Sequence, residues 1–374
     1  MTSKTFCVNP WITLHTKFTK GYSPCCRFRG VVNSDNIKDY VNSAELDSIK
    51  SKLLDGNAIP ECRDCWEQES RGYTSKRQRD NQTYGKIFQF LHKDLTKHSE
   101  QFVEYYVRLG NHCNLRCTSC SDELSSGWIS ENKKFNLPTV SVSVLPEQHE
   151  VWQHMRDHAN TIGVIEFVGG EPFMMSQDAQ SSLFKFLVDT GHASHIRLKY
   201  NTNGTRLPTE QLEYWPHFKT VEINVSVDGT DSRFEYLRFP AQWSEVKRNI
   251  EFYQTLPNLD LGIMLTVSVL NIGYVNDVLE FCASHNLKYF VNMLEQPHVL
   301  NLFWAEPRIK SWIADRIKSV KDPVIVSIAE NLNNHTGTVT TQQILDFVLP
   351  LDQRRGTSTE KTFPELFECL TSVT

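Results

Sequence analysis

From residue 105 onward, short runs with strand character alternate with segments of helical period. The strand-like runs cover residues 105–109, 161–168, 195–200, 221–227, 261–269 and 288–293. Helical patterns fill the gaps at 147–160, 177–190, 242–255 and 272–285. Such alternation predicts βαβ units and a parallel sheet. Six strands are too few for a closed eight-stranded barrel and suit an open one, so the predicted fold class is α/β, a partial (β/α)6 TIM-like barrel. After residue 300 the text turns amphipathic and helical over 303–320. It then becomes polar and ends in Phe363-Pro-Glu-Leu-Phe. Ahead of the barrel lies a cysteine-rich segment, followed by a stretch at 66–100 rich in charge and amides, in which a helix over 85–97 is expected. The chain therefore divides into residues 1–98, a barrel at 99–300 and a helical tail at 301–374.

The predicted strands end in polar or glycine-rich text. Cys113-Asn-Leu-Arg-Cys117-Thr-Ser-Cys120 follows the first and Gly169-Gly170-Glu171 the second. Asn201-Thr-Asn203-Gly204 and Asp228-Gly229 follow the third and fourth. Parallel α/β folds place their sites at the carboxyl ends of strands. A zinc ion or an ordinary iron–sulfur cluster takes four protein ligands. Three closely spaced thiols with no fourth until Cys282 point to a cluster with one iron left open. Taken singly, the glycine pair and the Asn-Gly segment read as turns. Cys282 and Cys369 read as helix-borne core thiols, and His112 as a neighbour of the cysteines rather than a ligand. The segment 125–134, with Trp128, reads as cover for a cofactor or as plain loop packing.

Composition narrows the classes. Apolar residues make up 40% of 374, enough for a packed interior. A net charge of −5 offers no general attraction to phosphate backbones, and the short run Lys76-Arg77-Gln78-Arg79 reads as solvated surface, so nucleic acid is an unlikely partner. No stretch approaches the ~18 apolar residues of a membrane span, and the first residues lack the apolar core of a signal peptide. The expected location is cytoplasmic, where ten cysteines are metal ligands more readily than disulfides.

The ordered set of Cys113, Cys117 and Cys120, then Gly169-Gly170-Glu171-Pro172, then Ser226-Val-Asp228-Gly229 resembles the radical S-adenosylmethionine (radical SAM) enzymes. The resemblance covers roughly residues 100–300. It implies a 4Fe–4S cluster on the three cysteines, with the methionine moiety of S-adenosylmethionine on its open iron. One electron then cleaves the cofactor to methionine and a 5′-deoxyadenosyl radical, which abstracts a substrate hydrogen. It further implies cofactor contacts at Gly169, Gly170, Glu171, Asn203, Ser226, Asp228 and Arg238, with adenine near residues 291–293. Ser119 stands where many members have an aromatic residue. No catalytic acid, base or radical-quenching residue is identified.

The amino-terminal text resembles the SPASM auxiliary-cluster module, or its shorter twitch form, on Cys7, Gly21, Cys26 and the Cys62-x-x-Cys65 pair. In that family the module usually follows the barrel, whereas here it precedes it. The resemblance implies a second 4Fe–4S cluster on Cys7, Cys26, Cys62 and Cys65. Cys25 is the alternative to Cys26, and zinc the alternative to the cluster. A fully ligated auxiliary cluster implies electron transfer, hence a net oxidation such as dehydrogenation or crosslinking, often on a peptide or protein. The implied electron donor is flavodoxin- or ferredoxin-like. Chemistry on a sugar, aminocyclitol or nucleotide is the alternative, and a non-catalytic iron–sulfur or zinc protein a third reading.

Overall fold

The computed structural model describes residues 3–17, 21–70, 74–91, 98–334 and 336–372. The six expected strands are present as β3 (Glu104–Arg108), β4 (Val164–Val168), β5 (Arg197–Thr202), β6 (Thr220–Ser226), β7 (Leu259–Val267) and β8 (Lys288–Met293). Two further strands, β1 (Thr13–Thr16) and β2 (Tyr22–Ser23), come from the amino-terminal segment. The sheet order is β2-β1-β3-β4-β5-β6-β7-β8. This is the partial α/β barrel expected, extended at one edge.

Contacts along the chain define two compact units. The first comprises residues 1–110, 143–200 and 208–221; the second comprises 111–142, 201–207 and 222–374. In the first, β1 pairs antiparallel with β2 and parallel with β3, with Leu14 opposite Tyr105. β3, β4 and β5 continue in parallel. Their side chains alternate, as the period of two requires. Tyr105, Ile165, Phe167, Leu198 and Tyr200 are fully buried, and Phe167 stacks on Tyr200 with ring centroids 5.4 Å apart. Tyr106, Arg108, Glu166 and Lys199 alternate with them and stay half-buried. A parallel sheet covered on both faces reads as a continuous apolar run, and these half-buried polar residues depart from that pattern on one face.

The charged run at 76–79 was expected on the surface; Gln78 and Arg79 are exposed, and the structure corrects the expectation for Lys76 and Arg77. It opens the helix Lys76–Leu91, which starts before the predicted 85–97; the end of that prediction, 92–97, lies outside the described residues. Arg77 is 8% exposed, pairs with Glu69 at 2.5 Å and donates to the Phe6 carbonyl. Lys76 bridges Asp80 and Glu104. The helix also buries Phe88 against Phe6 and Trp11, so Arg77 anchors the amino-terminal segment while Arg79 faces solvent.

In the second unit, β7 and β8 run parallel with Ile263 opposite Tyr289. Trp243, in the helix Trp243–Gln254, packs between Phe234 and Phe281. The tail is helical, as expected, over Pro307–Ile317, Pro323–Asn331, Thr341–Arg355 and Pro364–Thr371. Thr340 and Gln343 form a reciprocal capping box at the start of the third of these, and Gly356 ends it in the left-handed region. Phe363 lies edge-on to Tyr236 at 5.2 Å.

Candidate functional site

Within the second unit, the three-cysteine run forms a loop ahead of the helix Ser126–Lys134. The loop is tied to that helix at several points. Ser125 caps the helix, accepting from Gly127 N at 3.1 Å, and its hydroxyl donates back to the Leu115 carbonyl. Cys113 N donates to Ser126 Oγ at 3.0 Å, and Gly127 N donates to the Cys113 carbonyl at 3.1 Å. A Cβ at Gly127 would lie 2.6 Å from the Leu115 carbonyl oxygen; only glycine permits this approach. Trp128 Nε1 donates to the Cys117 carbonyl at 2.9 Å, so Trp128 clamps the loop. His112 stands beside it, its Nδ1 3.1 Å from Ser126 Oγ.

The thiols have the surroundings of cluster ligands. None of the ten cysteines is in a disulfide. Cys113 Sγ accepts from Leu115 N at 3.5 Å and from Asn203 Nδ2 at 3.6 Å. Such N–H donors stabilise a cluster thiolate and tune its potential. Cys117 is 8% exposed; burial raises its pKa, with Arg238 opposing the rise. Burial and the neighbouring Cys117 push Cys120 up to about 12. As free thiols these groups stay protonated, so metal binding must supply the charge that ionises them. Three exchangeable sulfurs on one loop, one of them already holding amide donors, fit a site-open 4Fe–4S cluster.

The other expected contacts in this unit are already engaged. Asn203 spends its amide on Cys113 and on Asn114 Oδ1, the latter at 3.0 Å, while its Oδ1 accepts from Thr205 N at 2.9 Å. Asp228 is 3% exposed and pairs with Arg238 at 2.8 Å; its other oxygen accepts from Thr266 N. That carboxylate holds Arg238 above its usual range against the opposing cost of burial, and Arg238 Nε has no hydrogen-bond partner among the described residues. Ser226 closes β6 and is half-buried.

In the first unit, Gly169 and Gly170 follow β4. Gly169 has φ of +146°, and a Cβ there would lie 2.5 Å from the Gly110 carbonyl oxygen. Gly170 N donates to that same oxygen at 2.8 Å, so the pair allows two strand ends to close on each other. Glu171 is fully buried and caps the turn Pro172–Met174, accepting from Phe173 N.

A second group of thiols lies in the same unit. Cys7, Cys25, Cys62 and Cys65 line one cavity, with Asn9 and Arg77 beside them. Cys26 does not line it. The cavity lining thus includes Cys25, the alternative to the expected Cys26. Asn9 Nδ2 donates to Cys25 Sγ at 3.7 Å and Arg27 N at 3.4 Å. Cys26 hydrogen-bonds Cys25, and that bond, with burial, raises its pKa. Burial and Cys65 push Cys62 up to about 12. Four free sulfurs around one cavity fit either a 4Fe–4S cluster or zinc. The remaining cysteines behave as core thiols, Cys282 fully buried and Cys369 partly so.

A mostly parallel α/β sheet and a loop of three closely spaced thiols are features this chain shares with S-adenosylmethionine-dependent radical domains. The family model of the radical SAM superfamily matches residues 107–282, which hold the three-cysteine loop and the Gly169-Gly170-Glu171 turn. The sporulation killing factor maturation protein SkfB of Bacillus subtilis is 25% identical over 211 residues, which span 54% of this chain and 45% of SkfB. The chain thus matches about half the length of that relative. Among solved structures, Streptococcus suis SuiB bound to precursor peptide SuiA has a TM-score of 0.41 at 13% identity, covering 86% of this chain and 64% of SuiB. The structure of anSMEcpe with bound AdoMet and Cp18Cys peptide has a TM-score of 0.42 at 16% identity, covering 70% and 78%.

Proposed function

We propose that this protein reductively cleaves S-adenosylmethionine on a cluster held by Cys113, Cys117 and Cys120, and modifies a peptide or protein substrate with net oxidation. The observation that carries the reading is the cysteine loop, where three free thiols share one mount and Cys113 already accepts two N–H groups. When bound, cluster and cofactor supply a 5′-deoxyadenosyl radical able to take a substrate hydrogen. The chain's own residues hold the loop, through Ser125, Ser126 and Trp128, and keep Cys117 away from water. Gly169, Gly170, Glu171, Asn203, Ser226, Asp228 and Arg238 are the proposed cofactor-binding residues. Arg238 would offer its free Nε to a carboxylate while Asp228 orients it.

The proposed second ligand set is Cys7, Cys25, Cys62 and Cys65, holding an auxiliary 4Fe–4S cluster that accepts the electron left on the substrate; residues 1–98 form this part of the chain. The relative's role as a maturation protein supports a peptide or protein substrate. A flavodoxin- or ferredoxin-like donor would supply the priming electron in the cytoplasm. No helix is long and apolar enough to cross a membrane among the described residues. The test is anaerobic reconstitution with iron and sulfide, followed by reduction with S-adenosylmethionine present. About eight irons per chain and release of 5′-deoxyadenosine are expected. Recovery of only about four irons together with zinc would remove the auxiliary cluster from the proposal.

A further inference from the structure

Glu100, His154 and His158 bring one carboxylate oxygen and two imidazole nitrogens within 4.8 Å of one another. All three belong to the first unit. His154 lies in the helix Glu150–Asp157 and His158 caps its carboxyl end, so the two rings stand one helical turn apart, with centroids separated by 4.5 Å. His154 is 8% exposed, and its Nε2 has no hydrogen-bond partner. The Nδ1 of the same ring lies 2.9 Å from the Tyr105 hydroxyl. With the proton on Nδ1 and donated to Tyr105, the Nε2 lone pair is left aimed at Glu100 Oε2, 3.8 Å away. A buried imidazole fixed through one nitrogen, with the other bare beside a carboxylate, is how proteins present a metal ligand.

We infer that these residues form a zinc site, separate from the cysteine clusters, with water as the fourth ligand. Two imidazoles and a carboxylate suit zinc, and bonds of about 2.0–2.1 Å place tetrahedral donors about 3.4 Å apart. The Glu100–His154 distance of 3.8 Å needs little contraction, the other pairs lie within 4.8 Å, and Glu100, with 38% of its side chain exposed, can move to close them. Position settles the role. Glu100 precedes β3 and His158 precedes β4, at the strand ends opposite Gly110 and Gly169. In parallel α/β folds that end serves stability and the carboxyl end serves chemistry. The ion ties the segment entering β3 to the helix entering β4.

The test uses the full-length protein with its clusters reconstituted anaerobically, so that the cysteines are occupied. One equivalent of zinc is added and the protein is desalted. Expected are about one retained zinc, a first shell of nitrogen and oxygen at about 2.0–2.1 Å by X-ray absorption, and a rise in Tm. His158→Ala should lose the zinc and the rise in Tm while keeping its iron content. Tyr105→Phe should weaken zinc binding about 10–100-fold without abolishing it. A sulfur shell at about 2.3 Å, equal zinc retention by His158→Ala, or no retention by the wild-type protein would each overturn the inference.

Discussion

The two groups of cysteines present the same atoms in opposite ways. Cys113, Cys117 and Cys120 sit on one loop, fastened to the helix that follows it by Ser125, Ser126 and Trp128. Cys7, Cys25, Cys62 and Cys65 arrive from three separate segments and meet only around a shared cavity. The first group lies on one loop that Gly127 allows to approach its helix, and the amides of Arg116 and Thr118 fasten the same loop to the Phe239 and Leu237 carbonyls. The second depends on long-range packing: the core of Phe6, Trp11 and Phe88, and Arg77 reaching back to the Phe6 carbonyl. A site built locally tolerates change elsewhere, whereas a gathered one fails when any contributing segment shifts.

The largest effect should come from the local site. Changing Cys113, Cys117 and Cys120 together to Ala should abolish 5′-deoxyadenosine formation and remove about four irons, leaving the second cluster in place. Retained cofactor cleavage would break the assignment. Next, Cys25→Ser and Cys26→Ser separate the neighbours in the gathered site. The former should lose about four irons and the latter none, as measured by iron analysis; the reverse pattern would restore Cys26 as the ligand.

A third prediction concerns how the loop's helix is anchored. Arg355 contacts both oxygens of Glu131, at 3.3 and 3.1 Å, while packing over Trp128 at 4.6 Å, and both partners are almost fully buried. Glu131→Gln strands that guanidinium and should cost about 3–5 kcal/mol in denaturant unfolding. A loss under about 1 kcal/mol, the ordinary scale of an exposed pair, would show that the pair is not an anchor. The smallest effect is expected for Asn203→Ala, which removes one N–H···S donor. Stability should fall by about 0.5–1.5 kcal/mol, and the potential of the first cluster should become more negative as its thiolate loses a donor. An unchanged potential would restrict Asn203 to holding the loop.

Much of this was legible in the chain. The strand-and-helix alternation predicted six strands, and each is present within a few residues of its expected place. The C-x3-C-x2-C spacing carried the resemblance, because spacing along one loop is a property of local sequence. The roles of Ser125, Ser126 and Gly127 were hidden in a segment that read equally as cover or packing; a serine cap before a helix was the available signal. β1 was missed because Thr13–Thr16 is short and pairs with residues some ninety positions later.

What the sequence determined by itself is the class of chemistry, since periodicity and cysteine spacing act over a few residues. Only the tertiary structure shows that Cys25 lines the cavity of Cys7, Cys62 and Cys65, that Arg77 is buried, and that Lys76 is half-buried between two carboxylates. It also decided that Arg238 is held by Asp228, and that Glu100 meets two histidines more than fifty residues away. Most of these contacts join segments far apart in the chain, and the direction of a side chain in such a contact follows from packing, which no local pattern records.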